Sequence, residues 1–148
     1  MLDWRYKTFE ALSNLELYEL LQLRNEVFVV EQDCVYQDAD GKDLHSTHLL
    51  GYEGSELAAY VRIVPKGISY DGYCSIGRVV VSSNHRRKNY GKAVMQKGIE
   101  ICQTEFDENI KISAQCYLEK FYTDLGFEVI SEKYLEDDIP HYAMIYTG

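Results

Sequence analysis

One stretch constrains this chain more than any other. Val79-Val80-Val81 runs through Ser82-Ser83-Asn84-His85-Arg86-Arg87-Lys88-Asn89 into Tyr90-Gly91-Lys92-Ala93. Three consecutive valines read as a strand buried on both faces. The polar loop after them gives way at once to a helical segment. That order puts open backbone N–H groups and the positive end of a helix dipole at one spot. Such a spot binds phosphate. Gly91 keeps the helix backbone free of side-chain bulk, and Asn89 is among the few non-glycine residues that tolerate a left-handed backbone. Arg86, Arg87, Lys88 and Lys92 crowd into the same turn, within a chain of 15 Lys and Arg residues. Cations at a helix N-terminus are unfavourable unless an anion compensates them. An anion with several phosphates therefore explains the turn better than solvation alone. The spacing is neither that of a Walker loop nor that of a G-x-G-x-x-G dinucleotide fingerprint.

The rest of the chain alternates strand and helix patterns. Trp4 to Phe9 reads as a first strand. Ser13-Asn14-Leu15-Glu16 is a capping box, and Leu17, Leu20, Leu21, Arg24 and Phe28 continue a helix to about Phe28. Val29 to Lys42 is acidic and irregular. His48 to Tyr52 and Leu57 to Val64 read as strands joined by a turn, and Cys74 to Val81 as a third. A helix is expected over Tyr90 to Phe106, a strand over Ile110 to Ala114, and a short helix over Leu118 to Leu125 closed by Gly126. Phe127 to Ser131 and His141 to Tyr146 complete the strands. This order predicts an α/β (α+β) fold, a mixed sheet with helices on both faces. The length of 148 residues suits a single domain over 1–148.

Charge narrows the partners. A net charge of −9 disfavours nucleic acid and anionic membranes. Met-Leu-Asp-Trp-Arg offers no apolar stretch for a signal peptide, so a cytoplasmic location is expected. Cys34, Cys74, Cys102 and Cys116 are widely spread and read as reduced structural thiols. His45 and His48 have no third ligand nearby, and no metal is expected. Aligning Gly41 to the glycine of a calcium loop puts Tyr36 and Thr47 where carboxylates belong, which excludes calcium. Glu31, Asp33, Asp38, Asp40 and Asp43 leave two readings open, a solvated loop or a surface that draws a cationic acceptor. A homodimer is left open as well.

Two motifs together resemble the GNAT N-acetyltransferase superfamily. Arg86-x-x-Asn89-x-Gly91 is similar to its pyrophosphate loop, with Asn89 where glycine is usual. Gln115-x-x-Leu118-x-x-Phe121-Tyr122-x-x-Leu125-Gly126-Phe127 resembles its second motif, with Gln115 in place of a common asparagine. Arg24-x-x-Val27-Phe28-Val29-Val30-Glu31-Gln32, Tyr36-Gln37-Asp38-x-Asp40-Gly41 and Ile139-Pro140-His141 extend the likeness to the ElaA-like group. The resemblance implies the acyl-CoA N-acyltransferase fold, with a central sheet that splays to admit the thioester arm of acetyl-CoA.

It also implies site residues. Val79, Val80, Val81, Arg86, Arg87, Lys88, Asn89, Tyr90, Gly91, Lys92, Gln115 and Tyr122 would line the cofactor site. Backbone N–H groups of Val79 to Val81 would face the oxyanion, and Tyr122 would protonate the leaving thiolate. Family members often carry a glutamate base on the fourth strand, but Cys74-Ser75-Ile76-Gly77-Arg78 has no carboxylate. Glu31, His48, His141 or a water relay stay open as the base. The expected reaction is direct acetyl transfer to a small-molecule or peptide amine that carries positive charge. Two alternatives share the phosphate turn: a non-catalytic acyl-CoA-binding regulatory module, and an autoinducer-synthase-like enzyme with a longer acyl donor.

Overall fold

The computed structural model describes residues 1–106 and 109–148. Strands β1 (Asp3–Thr8), β2 (Thr47–Glu53), β3 (Glu56–Val64) and β4 (Ser75–Val81) form one antiparallel sheet in chain order. Strands β5 (Lys111–Gln115), β6 (Phe127–Val129), β7 (Tyr134–Glu136) and β8 (Ile139–Tyr146) form a second, in which β8 pairs with the other three. A parallel bridge from Cys74 to Ile110 joins the two sheets. Cys74 N donates to Asn109 O and Lys111 N to Cys74 O, both at 3.0 Å. Past this bridge β4 and β5 diverge without pairing among the described residues. The sheet is mixed and splayed, as expected.

Alternation along β2 and β3 explains why helices cover both faces. Leu50 and Tyr60 point to one side with Val80 and pack on Leu20 and Leu23 of α1 (Asn14–Arg24). Leu49 and Val61 point to the other, into a cluster with Val94, Met95 and Ile99 of α2 (Tyr90–Ile101). Each such side chain contributes roughly 1.5–3 kcal/mol on burial. Ile112 of β5 and Met144 of β8 belong to the same cluster, so one core runs beneath both sheets. No helix among the described residues is long and apolar enough to cross a membrane.

The helix signals hold at their starts and shift at their ends. Ser13 Oγ accepts from Glu16 N at 3.0 Å and Glu16 Oε1 accepts from Ser13 N at 2.8 Å, the reciprocal capping box. After Arg24 the helix does not stop at Phe28 but widens into π-type turns over Asn25–Glu31. Gln32 N then reaches Val27 O at 3.0 Å and Cys34 N reaches Val29 O at 3.1 Å. The second helix widens in the same way over Cys102–Phe106. Gly126, at φ +109°, follows the short α3 (Glu119–Asp124), and a Cβ there would meet Gly148 C and Tyr146 Cε1 at 2.8 Å. Strand β6 ends at Val129, short of Ser131, and β7 is an element the sequence pattern does not announce. Its hairpin to β8 turns on Asp137 and Asp138, both left-handed at φ 51° and 62°.

Candidate active site

The α2 start presents open backbone amides at a cationic turn. Asn89 is left-handed at φ 60°, ψ 25°, and its side chain makes no capping bond. Ala93 N bonds Asn89 O at 3.0 Å, which leaves the amides of Tyr90, Gly91 and Lys92 without an acceptor in the helix. No acidic residue occupies the first turn. Arg87 is left-handed too, at φ 66°, and two such residues in one loop store strain of the kind found at ligand sites. A cavity of about 340 Å³ opens on this turn, lined by Val81, Arg86, Arg87, Asn89, Tyr90, Gly91, Lys92 and Phe121 among others. A Cβ at Gly91 would meet Val81 Cγ2 at 3.7 Å and Phe121 Cζ at 3.8 Å, ordinary contacts. Packing does not demand glycine there.

The four cations divide. Arg87 and Lys92 line the cavity and make no ion pair among the described residues. Arg86 lies between two cavities and makes paired bonds to Glu31, at 2.6 and 2.7 Å. Lys88 departs from expectation. It leaves the cavity and binds Glu53 at 2.9 Å, where Tyr90 Oη also donates. The Glu53 carboxylate, on β2, holds Lys88 away from the other three cations.

The splay of β4 from β5 opens a second cavity of about 370 Å³. Its β4 wall carries a bulge: Gly77 pairs with Arg62 and Val80 with Tyr60, so Arg78 and Val79 stand opposite Val61 alone. Arg78 is left-handed at φ 51°. Val79, Val80 and Val81 line the cleft, and Gln115 of β5, His141 of β8 and Tyr122 of α3 line it too. Tyr122 is 8% exposed. It packs edge-on against Phe121 and Phe127, with centroids at 5.0 and 6.0 Å. Burial pushes its hydroxyl up to about 12, so it stays protonated at neutral pH.

The base candidates separate. Glu31 is not among the residues that line the cleft, and its bonds from Arg86 hold its carboxyl below the ordinary range. That makes it a poor proton acceptor. His48 lies outside the cleft and is fully buried. One ring nitrogen is 2.7 Å from Tyr60 Oη and the other 3.0 Å from Asp43 O. Burial pushes its pKa down, and with both nitrogens engaged it can serve no substrate. His141 alone of the three histidine and glutamate candidates faces the cleft without an ion-paired arginine.

The acidic loop also needs correction. Asp38, Asp40 and Asp43 are not a free anionic surface. Arg24 bonds Asp38 at 2.9 Å and Asp43 at 2.8 Å, Arg62 bonds Asp40 at 2.8 Å and Asp43 at 3.1 Å, and Arg78 bonds Asp38 at 2.9 Å. Burial opposes charge on Asp40, but bonds from Arg62 hold its carboxyl down to about 2. Three arginines from α1, β3 and β4 neutralise three aspartates and pin the loop to the bulge. Among the described residues, the carboxylates that do line the cleft are Glu136 and Asp137, at the hairpin the sequence reading left unassigned.

The GNAT acetyltransferase domain family matches residues 14–147. Protein ElaA of Escherichia coli K12 is 42% identical over 147 residues, covering 97% of this chain and 95% of ElaA. The crystal structure of E. coli ElaA superposes with a TM-score of 0.91 at 41% identity, over 99% of this chain and 100% of that one. An acyl-CoA N-acyltransferase from Pseudomonas aeruginosa also superposes at 0.91 with 41% identity, over 99% and 100% of the two chains. A phosphate-ready helix start beside a splayed sheet, with relatives this close over nearly the whole length, leads to one assignment: the chain belongs to the GNAT acetyltransferase family, in its ElaA-like group.

Proposed function

We propose that the protein transfers an acetyl group from acetyl-CoA to an amine, by direct attack with both substrates bound. One observation carries this reading. The uncapped first turn of α2 opens beside a cleft that holds a buried, protonated tyrosine. The amides of Tyr90 to Lys92, with Arg87 and Lys92, fit the phosphates of the donor. The unpaired edge of β4 fits its extended arm. Bound acyl-CoA supplies an activated thioester. The bulged β4 backbone offers N–H groups to the carbonyl oxygen as charge develops there, and Tyr122 holds a proton for the departing sulfur. Ser113 bonds Tyr134 and Glu136 rather than an imidazole, so nothing activates it as a nucleophile. This supports direct transfer over a serine-linked intermediate.

Calorimetry with acetyl-CoA tests the donor, and Tyr122→Phe tests the chemistry. Binding is expected in both proteins with similar affinity. Turnover falls on the order of a hundredfold in the variant. No acetyl-CoA binding by the intact protein would sink the proposal. Binding without thiol release would favour a regulatory module.

A further inference from the structure

Strand register gathers a set of polar side chains on the far wall of the cleft. On β8, His141 stands opposite Gln115 of β5 on one side and Tyr134 of β7 on the other. Directly opposed residues of antiparallel strands share a sheet face, and so do residues two apart. Ile139 is opposite Glu136 and Ala143 opposite Ser113, which puts Ser113 and Glu136 on the face of His141. Ser113, Gln115, Glu136 and His141 all line the cleft.

Within this set His141 has the geometry of a base. It is 6% exposed, and its Nδ1 lies 2.6 Å from Ile139 O. A carbonyl oxygen only accepts, so Nδ1 carries the hydrogen, and in the neutral ring Nε2 keeps its lone pair. Glu136 Oε2 stands 3.6 Å from Nε2, beyond hydrogen-bond length yet near enough to stabilise charge that develops on the ring. The other Glu136 oxygen accepts from Ser113 Oγ at 3.1 Å. Tyr134 stacks on the imidazole at 6.1 Å between centroids. The titratable groups beside His141 are Tyr134 and Glu136 from β7, and Asp137, Tyr117, Tyr122, Cys34 and Tyr36 line the same cleft. Arg78 across the cleft is held by Asp38. His48 differs at the decisive point, because both of its nitrogens are engaged.

We infer that His141 Nε2 is the general base of acyl transfer, and that the acceptor is a primary amine arriving as an ammonium ion against Glu136 and Asp137. This rests on the acyl-transfer reading above. The ammonium gives one proton to His141, which returns it to solvent past the half-exposed Glu136. The neutral nitrogen attacks the thioester carbon, so a C–N bond forms and the C–S bond breaks. Tyr122 gives its proton to sulfur, and His141 takes the second nitrogen proton. His141 passes this second proton to solvent as well, and solvent reprotonates Tyr122. One amide, one thiol and one proton leave per turnover.

Three measurements test it, with 2-phenylethylamine and 1,5-diaminopentane as probes. The first is calorimetric acetyl-CoA affinity, expected unchanged in His141→Gln. The second is thiol release against pH: His141→Gln should lose about 10²- to 10⁴-fold in kcat/KM and its acid limb. The third is the NMR signal of the His141 ring, which should move when either amine is added and move less in Glu136→Gln. Glu136→Gln, changed at a side chain 51% exposed, also covers the case in which His141→Gln fails to fold. An unaltered rate and acid limb in His141→Gln overturns the base. Ring signals that ignore saturating amine, or acetyl-CoA binding with no transfer to either probe, overturn the acceptor site. Absence of acetyl-CoA binding would instead bring down the donor assignment itself.

Discussion

Replacing Arg24 with methionine removes a cation that is 0% exposed while keeping most of its side-chain length. In the folded protein its Nε bonds Asp38 Oδ2 at 2.9 Å, and Nη1 and Nη2 bond Asp43 at 2.8 and 3.2 Å. The substitution strands two carboxylates that are 5% and 7% exposed. Each keeps one arginine, Arg78 for Asp38 and Arg62 for Asp43. Removing one member of a buried ion network costs about 3–5 kcal/mol, and the residual partners put this case near 3. That corresponds to a fall in Tm of roughly 6–12 °C. The pH dependence follows from Asp43. Burial opposes its charge, but Arg24 and then Arg62 hold its carboxyl below the ordinary range. A depressed carboxylate contributes stability above its unfolded pKa and loses it as pH falls through the folded value. The gap between wild type and Arg24→Met should therefore be full above about pH 4 and shrink below it. Urea unfolding at pH 7, 5, 4 and 3 reads this gap directly. A loss under about 1 kcal/mol at pH 7, or a gap constant to pH 3, would refute the account.

Two further substitutions probe the ends of the site. Glu31→Gln releases Arg86 for the phosphates, and calorimetry should show acetyl-CoA binding roughly two- to five-fold tighter. Equal or weaker binding would mean that the pair does not compete with the donor. Gly126→Ala forces a Cβ to 2.8 Å from Gly148 C at a backbone φ of +109°. A stability loss of about 1–3 kcal/mol is expected by urea titration, and none would show that the C-terminus yields freely.

What the sequence makes legible is local. The capping box at Ser13, the left-handed Asn89 and the glycine after α3 each report on neighbours within a few positions. The phosphate turn belongs with them, because strand, loop and helix start are contiguous. The arginine network does not. Arg24, Arg62 and Arg78 come from three elements, and nothing near each one in the chain reveals that Asp38, Asp40 and Asp43 converge on them. An acidic loop neutralised from a distance reads in sequence like one facing water. Lys88 misleads for the same reason, since Glu53 lies on a separate strand. Strand β7 stays hidden because its turn, Asp137-Asp138, lacks the glycine or asparagine that usually marks two left-handed residues. His48 carried one usable signal: it heads a run with Leu49 and Leu50 in a strand buried on both faces, where a histidine serves packing.

The divergence of β4 from β5 gives this molecule a strand edge that faces inward. Edges on the rim of a sheet invite pairing with other chains, and proteins guard them with charge, bulges or short length. Here the unpaired backbone of β4 looks into a cleft walled by Val27 and Phe28 on one side and Ile112 on the other. An extended ligand with amide groups along its length can add to that edge as a strand would. On the donor assignment proposed above, selection would draw on backbone rhythm as well as phosphate charge. The two would act at opposite ends of one molecule, so a donor fragment that keeps only one of them should forfeit the advantage of binding both at once.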